Sequence, residues 1–473
     1  MIEIHPPVPR FDSLRVRLSN LSWSLGIGNF FSQNVPFAYS SGAILGYRIA
    51  RIMAPFLDSQ CPPYHVYELG AGLGLLSRHV LDCLKSEFPL LYASIHIHVC
   101  EVSPEMIKQV HYWNPYQEHP EKVSFEVMDC VHPHFEYQPS FVFASYMLDS
   151  LPCRHVAASP EGDSEIRVRT LFPENAYAEE ISTLLKGPDS DSLRQLTPQI
   201  LPMIWEEYHP TPITPELWPK PEYDLYHAFR NTCESSFHTH FNFSFEAAHS
   251  FTRILQALPE ASGFLLHDFG YTDQTVMQPN QHSISIYNAC AFFAQYFPFY
   301  EFLAKELGCR YHLTTNPQGK SQAMLLYKSQ QDFGTLFKNT FPNLGIERIS
   351  ALSTLLKETK CEDYDATLHT HLQTLSKDEQ ENYFLYIGIA CDYLAYKEWD
   401  KAKQFLDKAL PLHEPFSVSA YHLSGIVALQ KEDCAEAEAF FRKALILCPD
   451  YDASAFQLRA LIKKTPRSPR FKG

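Results

Sequence analysis

With 473 residues, 45% of them hydrophobic and 14% aromatic, the chain has apolar material for two or three packed domains, and general disorder is excluded. A formal net charge of -15 disfavours a nucleic-acid substrate, which calls for a basic face. The 12 cysteines form no CxxC pair and no zinc-finger spacing, the N-terminus shows no apolar signal core, and no apolar run reaches the roughly 18 residues of a membrane span. The expectation is therefore a reduced, cytoplasmic protein with no metal centre.

From about residue 40 to 150 helix and strand patterns alternate. "SSGAILGYRIARIMAPFL" has apolar residues at helical spacing, "HVYEL" reads as a strand, and "LLSRHVLDCLKSEF" reads as a helix. "SIHIHVCEV" alternates as a second strand. "SPEMIKQVHYW" then starts a helix, with Ser103 as N-cap and Pro104 at its first position. "KVSFEVMD" and "SFVFASYML" are two further strands. Strands separated by helices predict a parallel, doubly wound sheet.

Between about 155 and 245 the pattern breaks at "SPEGDSE", "KGPDSDS" and the proline-dense "YHPTPITPELWPKPEYD", which reads as a large insertion over one face of the sheet. The α/β pattern resumes with the helix "FEAAHSFTRILQAL", the strand "GFLLHDFG" and a helix around "CAFFAQYFPFYEFLAKEL". "RYHLTT" and "AMLLYK" flank "NPQGKSQ" as a hairpin, so the sheet should close with one antiparallel strand.

From residue 381 onward positions recur at an offset of 35. Tyr386, Ile389, Ala390, Tyr393, Ala402, Leu406 and Ala409 reappear as Tyr421, Ser424, Gly425, Ala428, Ala437, Phe441 and Ala444. Small residues sit where paired helices would touch, as in tetratricopeptide repeats, and "ASAFQLRALIKK" would cap the stack before a basic tail. The expected organisation is a catalytic domain over 1–345, a helical linker over 346–380 and repeats over 381–473, with separate cores for the first and last.

"VYELGAGLGLL" places Gly70, Gly72 and Gly74 at a strand-to-helix turn, where bare backbone can approach a ligand closely. The spacing is G-x-G-x-G, and Leu75 stands where a dinucleotide fingerprint wants its third glycine. Glu68, two residues before the first glycine, would repel a pyrophosphate and attract an ammonium. The stretch Glu68, Gly70, Ala71, Gly72, Gly74 thus favours S-adenosylmethionine over NAD. Glu101, ending the next strand, is suited to the ribose hydroxyls. Asp129, after the third strand, is suited to the adenine amino group, with Met128 near the ring.

The chain resembles the MidA family of methyltransferases, which includes a mitochondrial assembly factor for respiratory complex I. The likeness covers roughly residues 20 to 330 and rests on "GIGNFFSQNVPFAYSSGAILGYRIA", "YELGAGLGLL", "CEVSPEM", "LDSLP" and "GFLLHDFGY". It implies a class I, Rossmann-like α/β methyltransferase sheet and adenosylmethionine-dependent methylation, of a partner's arginine in the mitochondrial member. Where the family has Asn-Glu shortly before Asp-Ala-Leu-Pro, this chain has Ser145 and Tyr146 before Asp149-Ser150-Leu151-Pro152, and its early Asp is Asn29. Asp149, past the fourth strand, is the first candidate for orienting a nucleophile, with Tyr146 beside it. Asp268 and Tyr271 should rim the same site, while Glu206 and Glu207 read as a solvated face. The expected function is a protein methyltransferase whose repeats recruit the substrate. A non-catalytic scaffold acting through the repeats and a small-molecule methyltransferase are the alternatives.

Overall fold

A parallel sheet needs apolar cover on both faces, and the strand segments are apolar enough to demand it. The computed structural model describes residues 1–22, 26–27, 30, 42–174, 177, 179, 181, 197, 199–272, 284–287, 290–316, 320–342 and 346–464. Gly28, Asn29, "KGPDSDS", the hairpin turn at 317–319 and the basic tail beyond Lys464 lie outside them.

Strand β1 (Ile2–Val8) opens the chain and belongs to a second sheet. The central sheet begins with β2 (Tyr64–Leu69), β3 (Ile95–Glu101), β4 (Val123–Val127) and β5 (Phe141–Ser145). The chain then makes an excursion through β6 (Arg154–Ala158), β7 (Ser164–Phe172), β8 (Trp205–Pro212) and β9 (Thr239–Phe243). It returns in β10 (Gly263–Tyr271), adds β11 (Ile284–Tyr287), β12 (Cys290–Phe293) and β13 (Gln295–Tyr296), and ends with β14 (Arg310–Leu313) and β15 (Lys320–Tyr327). The hydrogen-bonded order is β14-β15-β10-β5-β2-β3-β4, with β13 joined to β10. Every neighbour is parallel except β15, which runs antiparallel to both β10 and β14, the closure expected from the hairpin. The chain path reverses between β2 and β5, so the carboxyl ends of these strands form a switch-point crevice.

Helices α1 (Ala43–Asp58), α2 (Leu75–Glu87) and α3 (Pro104–Trp113) follow the helical patterns of the sequence. α3 starts where Ser103 accepts the Met106 N–H at 3.2 Å and Pro104 occupies the first position. Alternation along β5 splits the core. Phe141 and Phe143 face α1 and α2, with Phe56, Met53 and Val80, while Val142 and Ala144 face α4 (Phe245–Ala257) and α5 (Phe297–Glu306). Phe56 also stacks on Phe333 at 4.1 Å. Truncating such a ring to alanine costs about 3–5 kcal/mol.

The segment that breaks the sequence pattern forms a sheet of its own. β1-β7-β6-β9 is antiparallel, with β8 added to the other side of β7. β8 ends in Pro210 and Pro212 and carries Glu206 and Glu207, devices that suit a strand at an edge. Glu206 pairs with Arg15 at 3.4 Å and Glu207 with Arg169 at 3.2 Å, so these acids hold the chain's own cations.

The carboxy-terminal region is an array of antiparallel pairs: α6 (Tyr383–Ala395) with α7 (Trp399–His413), α8 (Val418–Gln430) with α9 (Cys434–Leu447), then α10 (Asp452–Lys464). Of the residues recurring at 35, all but Tyr386 are buried. At Gly425 an added Cβ would lie 2.5 Å from the Phe441 ring, which requires the small residue there. Two expectations are corrected. The segment 346–380 is no spacer, because Ile349, Leu352, Tyr364 and Leu368 share a core with Ile389 and Leu406. Nor are the two main cores separate: Leu73, Leu75, Met106 and Val110 pack with Phe416, Val418 and Tyr421 in one cluster. Among the described residues no helix is long and apolar enough to cross a membrane.

Candidate functional site

At the carboxyl end of β2 the backbone of Gly70, Gly72 and Gly74 has φ of +69°, +53° and +69°, the left-handed region that favours glycine. The turn is tied down from several sides. The Ala71 N–H donates to the Cys100 carbonyl at 3.0 Å, and Tyr116 donates its hydroxyl to the Gly74 carbonyl at 2.6 Å. An added Cβ at Gly72 would come within 2.7 Å of the Phe30 ring, and at Gly70 within 3.1 Å of Met147.

Glu101 ends β3 directly beside this turn. Its carboxylate accepts the N–H groups of Val102 at 2.9 Å, Gly72 at 3.2 Å and Ser103 at 3.3 Å. Burial pushes its pKa up, and these three donors oppose that shift. A carboxylate has about four acceptor sites, so one remains for a hydroxyl. Val102 next to it is 60% exposed, a bare apolar surface just past the carboxyl end of β3, and the buried Met128 donates its N–H to the Glu101 carbonyl at 3.0 Å. A glycine turn, a carboxylate with spare acceptor capacity and an uncovered valine fit the methionine, ribose and adenine portions of an adenosyl ligand. Asp129 is exposed at the rim, with its carboxylate turned to the Val131 N–H at 2.9 Å.

Glu68, expected to face a ligand's ammonium, is only 3% exposed and accepts the Ser77 hydroxyl of α2 beneath the turn. Burial pushes its pKa up to about 8, against the lowering effect of Ser77. The residue ties the strand to the helix that follows.

The end of β5 is built differently. Tyr146 takes a left-handed φ of +54°, a conformation that costs a non-glycine residue of order 1–3 kcal/mol and clusters at functional sites. Its N–H donates to the His267 carbonyl at 2.8 Å, and its hydroxyl is bonded to that of Ser321. Ser145 bonds His267 at 3.1 Å. Asp149, in the short helix Leu148–Ser150, is fully buried, and among the described residues neither of its carboxyl oxygens has a hydrogen-bond partner on another residue. It therefore caps no turn. That task falls to Asp268, whose carboxyl accepts the N–H groups of Leu148 at 3.0 Å, Asp149 at 3.3 Å and Phe269 at 2.9 Å. Asp268 is thus buried beneath the site, not on its rim, while Tyr271 stays half-buried at the end of β10. Burial and then the neighbouring Asp268 push the Asp149 pKa well above the carboxylate range.

The sequence reading missed Ser77, Tyr116, Val102 and the capping role of Asp268. Val102 was within reach, as an apolar residue following an acid at a strand end. The other three depend on contacts across 9 to 120 positions that no local pattern displays.

Residues 48–297, more than half the chain, match the model of a family described as "Putative S-adenosyl-L-methionine-dependent methyltransferase". Among solved structures, the chain is similar to an uncharacterized protein from Burkholderia thailandensis, at 15% identity over 78% of this chain and 83% of that one, with a TM-score of 0.45. It is also similar to a superfamily member from Burkholderia thailandensis bound to S-adenosyl-homocysteine, at 14% identity over 78% and 84%, with a TM-score of 0.46. For human N-acetylserotonin methyltransferase in complex with SAM the values are 11%, 68%, 58% and 0.31. None of the curated proteins matches the chain.

Proposed function

The chain belongs to this family of S-adenosylmethionine-dependent methyltransferases, and from that premise we propose that it methylates a protein substrate, with Asp149 acting on the acceptor. The observation that carries the acceptor side is the pair of unpartnered oxygens on Asp149. Buried polar groups are nearly always satisfied, and an exception calls for a reason such as catalysis. The acceptor loop adjoins the cofactor turn, since Met147 packs over Gly70.

Bound S-adenosylmethionine would supply a methyl group activated by a sulfonium, its S–CH3 bond breaking to leave neutral S-adenosylhomocysteine. Glu101 and the glycine turn hold its ribose and methionine ends. Asp149 orients an acceptor N–H and takes its proton as the nucleophile gains the methyl group. Burial and the neighbouring Asp268 hold the Asp149 carboxyl in its protonated form, so an incoming cationic acceptor is what would draw it into its basic, charged form. An arginine of a protein partner is the acceptor implied by the family resemblance. With Tyr146 where the family carries an acid, Asp149 is the acid left to hold it.

The carboxy-terminal array, read as tetratricopeptide repeats, recruits that partner. Support comes from the recurrence at 35 and from apolar side chains left bare on the array, among them Phe456 at 69% exposed. The scaffold reading draws on one observation, the Tyr146 hydroxyl already bonded to Ser321. Labelled adenosylmethionine incubated with the protein and a cell lysate separates the two. Label in protein supports the proposal, and label in metabolites alone overturns its substrate class. Cofactor binding without transfer to anything overturns catalysis in favour of the scaffold.

A further inference from the structure

The carboxy-terminal array is pressed against both arms of the cofactor site. One arm is the glycine turn. The residues that close it, Leu73 and Leu75, are fully buried in the cluster that holds Phe416, Val418 and Tyr421 of the array. The other arm is the loop that orients Glu101. Its Ser103 N–H donates to Glu101, and Ser103 caps α3, whose Met106 and Val110 are buried in the same cluster. One turn into α2, Arg78 is buried with its guanidinium aimed into the array. It donates to the carbonyls of Glu414 at 2.8 Å, Pro411 at 3.0 Å and Leu412. These carbonyls end or follow α7, where a helix leaves acceptors unsatisfied and its dipole favours a cation. The catalytic domain thus supplies the C-terminal cap of an array helix from the helix that begins at its own cofactor turn.

We infer that Arg78 and the array face formed by Phe416, Val418 and Tyr421 are cofactor-positioning elements, so that the array's seating and cofactor affinity are linked. Three glycines at positive φ give a turn with little stiffness of its own, because glycine gives up more conformational freedom on ordering than any other residue. Packing Leu73 and Leu75 against the array limits that freedom before a ligand arrives, and preorganisation raises affinity by lowering the ordering cost. Coupling of this kind is reciprocal: whatever seats the array tightens the cofactor site, and bound cofactor seats the array. A partner gripping the repeats would then act on cofactor occupancy without touching the cofactor. The inference rests on the cofactor side of the function proposed above.

The test uses the full chain and S-adenosylhomocysteine binding by calorimetry, with Arg51→Ala as the control. Arg51 also anchors the carboxy-terminal region, through Asp378 at 2.5 and 3.0 Å, but from α1 and away from the turn. Arg78→Ala is expected to raise Kd about tenfold, within the range typical of the coupling between two linked sites. Arg51→Ala should lower the melting temperature yet leave Kd within about twofold. Equal Kd values in all three proteins, or an equal rise in both variants, overturn the inference. Should Arg78→Ala not fold, hydrogen exchange on the unmodified chain decides. Slower exchange at residues 416–421 and 444–448 with ligand supports the linkage, and slowing confined to residues 70–77 overturns it. An unmodified chain that binds no S-adenosylhomocysteine overturns the cofactor site itself.

Discussion

The two sides of the switch-point crevice are held in opposite ways. On the β2–β3 side the polar groups find partners within the chain: Glu101 takes three backbone N–H groups, the Gly74 carbonyl takes the Tyr116 hydroxyl, and Glu68 takes Ser77. On the β5–β10 side Tyr146 is held at a left-handed φ, and Asp149 keeps a carboxyl that no other described residue satisfies. A site that must bind one ligand repeatedly gains from being rigid beforehand. A group that must change protonation and partner during a reaction is kept uncommitted, at a cost in stability carried by the rest of the fold. The contrast is what the proposed division, binding on one side and chemistry on the other, rests on.

The strongest way to break that division is Asp149→Asn, which keeps the shape and removes the base. Turnover on a methylated substrate should fall about a hundredfold, in the range for losing one positioned acid–base group, while Kd for S-adenosylhomocysteine stays nearly unchanged. Equal losses in both would place Asp149 on the binding side. The mirror experiment is Glu101→Ala. Losing hydrogen bonds to a charged group should weaken S-adenosylhomocysteine by about 1.5–3 kcal/mol in calorimetry, and saturating cofactor should restore most of the turnover. A turnover loss that excess cofactor cannot rescue would blur the two sides.

How far the sequence carried this depends on whether a feature is local. β5 was legible because "FVFAS" is a short apolar run buried on both faces, and β3 because its alternation ends in an acid. The second sheet was not, since its strands carry charges that are neutralised only across the sheet. Arg154 meets the buried Glu165 at 3.0 Å, and Arg169 meets Glu207 on the next strand. A single segment shows those charges without their partners and so reads as loop. The paired helices of the carboxy-terminal array follow the recurrence at 35, yet nothing in that periodicity revealed that α2 and α3 would cover one of the array's faces. The identity of Glu101 was local, whereas the orientation of Glu68 depends on Ser77, which sits nine positions away on another element.

Glu68 gives the smallest expected effect, and it probes how committed the binding side is. Its carboxyl has a pKa of about 8 in the folded chain against about 4.5 for an ordinary glutamate. A folded value raised above the unfolded one means that the native state binds the extra proton. The stabilising contribution is therefore complete below about pH 4.5 and is lost as pH rises through about 8. Glu68→Gln keeps an acceptor for the Ser77 hydroxyl and cannot ionise. Melting temperatures taken from pH 5 to pH 9 should fall less steeply in this variant, with the two curves separating by a few degrees at the alkaline end. Asp268, whose pKa burial also pushes up, keeps part of the slope in both proteins. Parallel curves would mean that Glu68 is already ionised in the folded state, with Ser77 and the surrounding turn satisfying a buried anion.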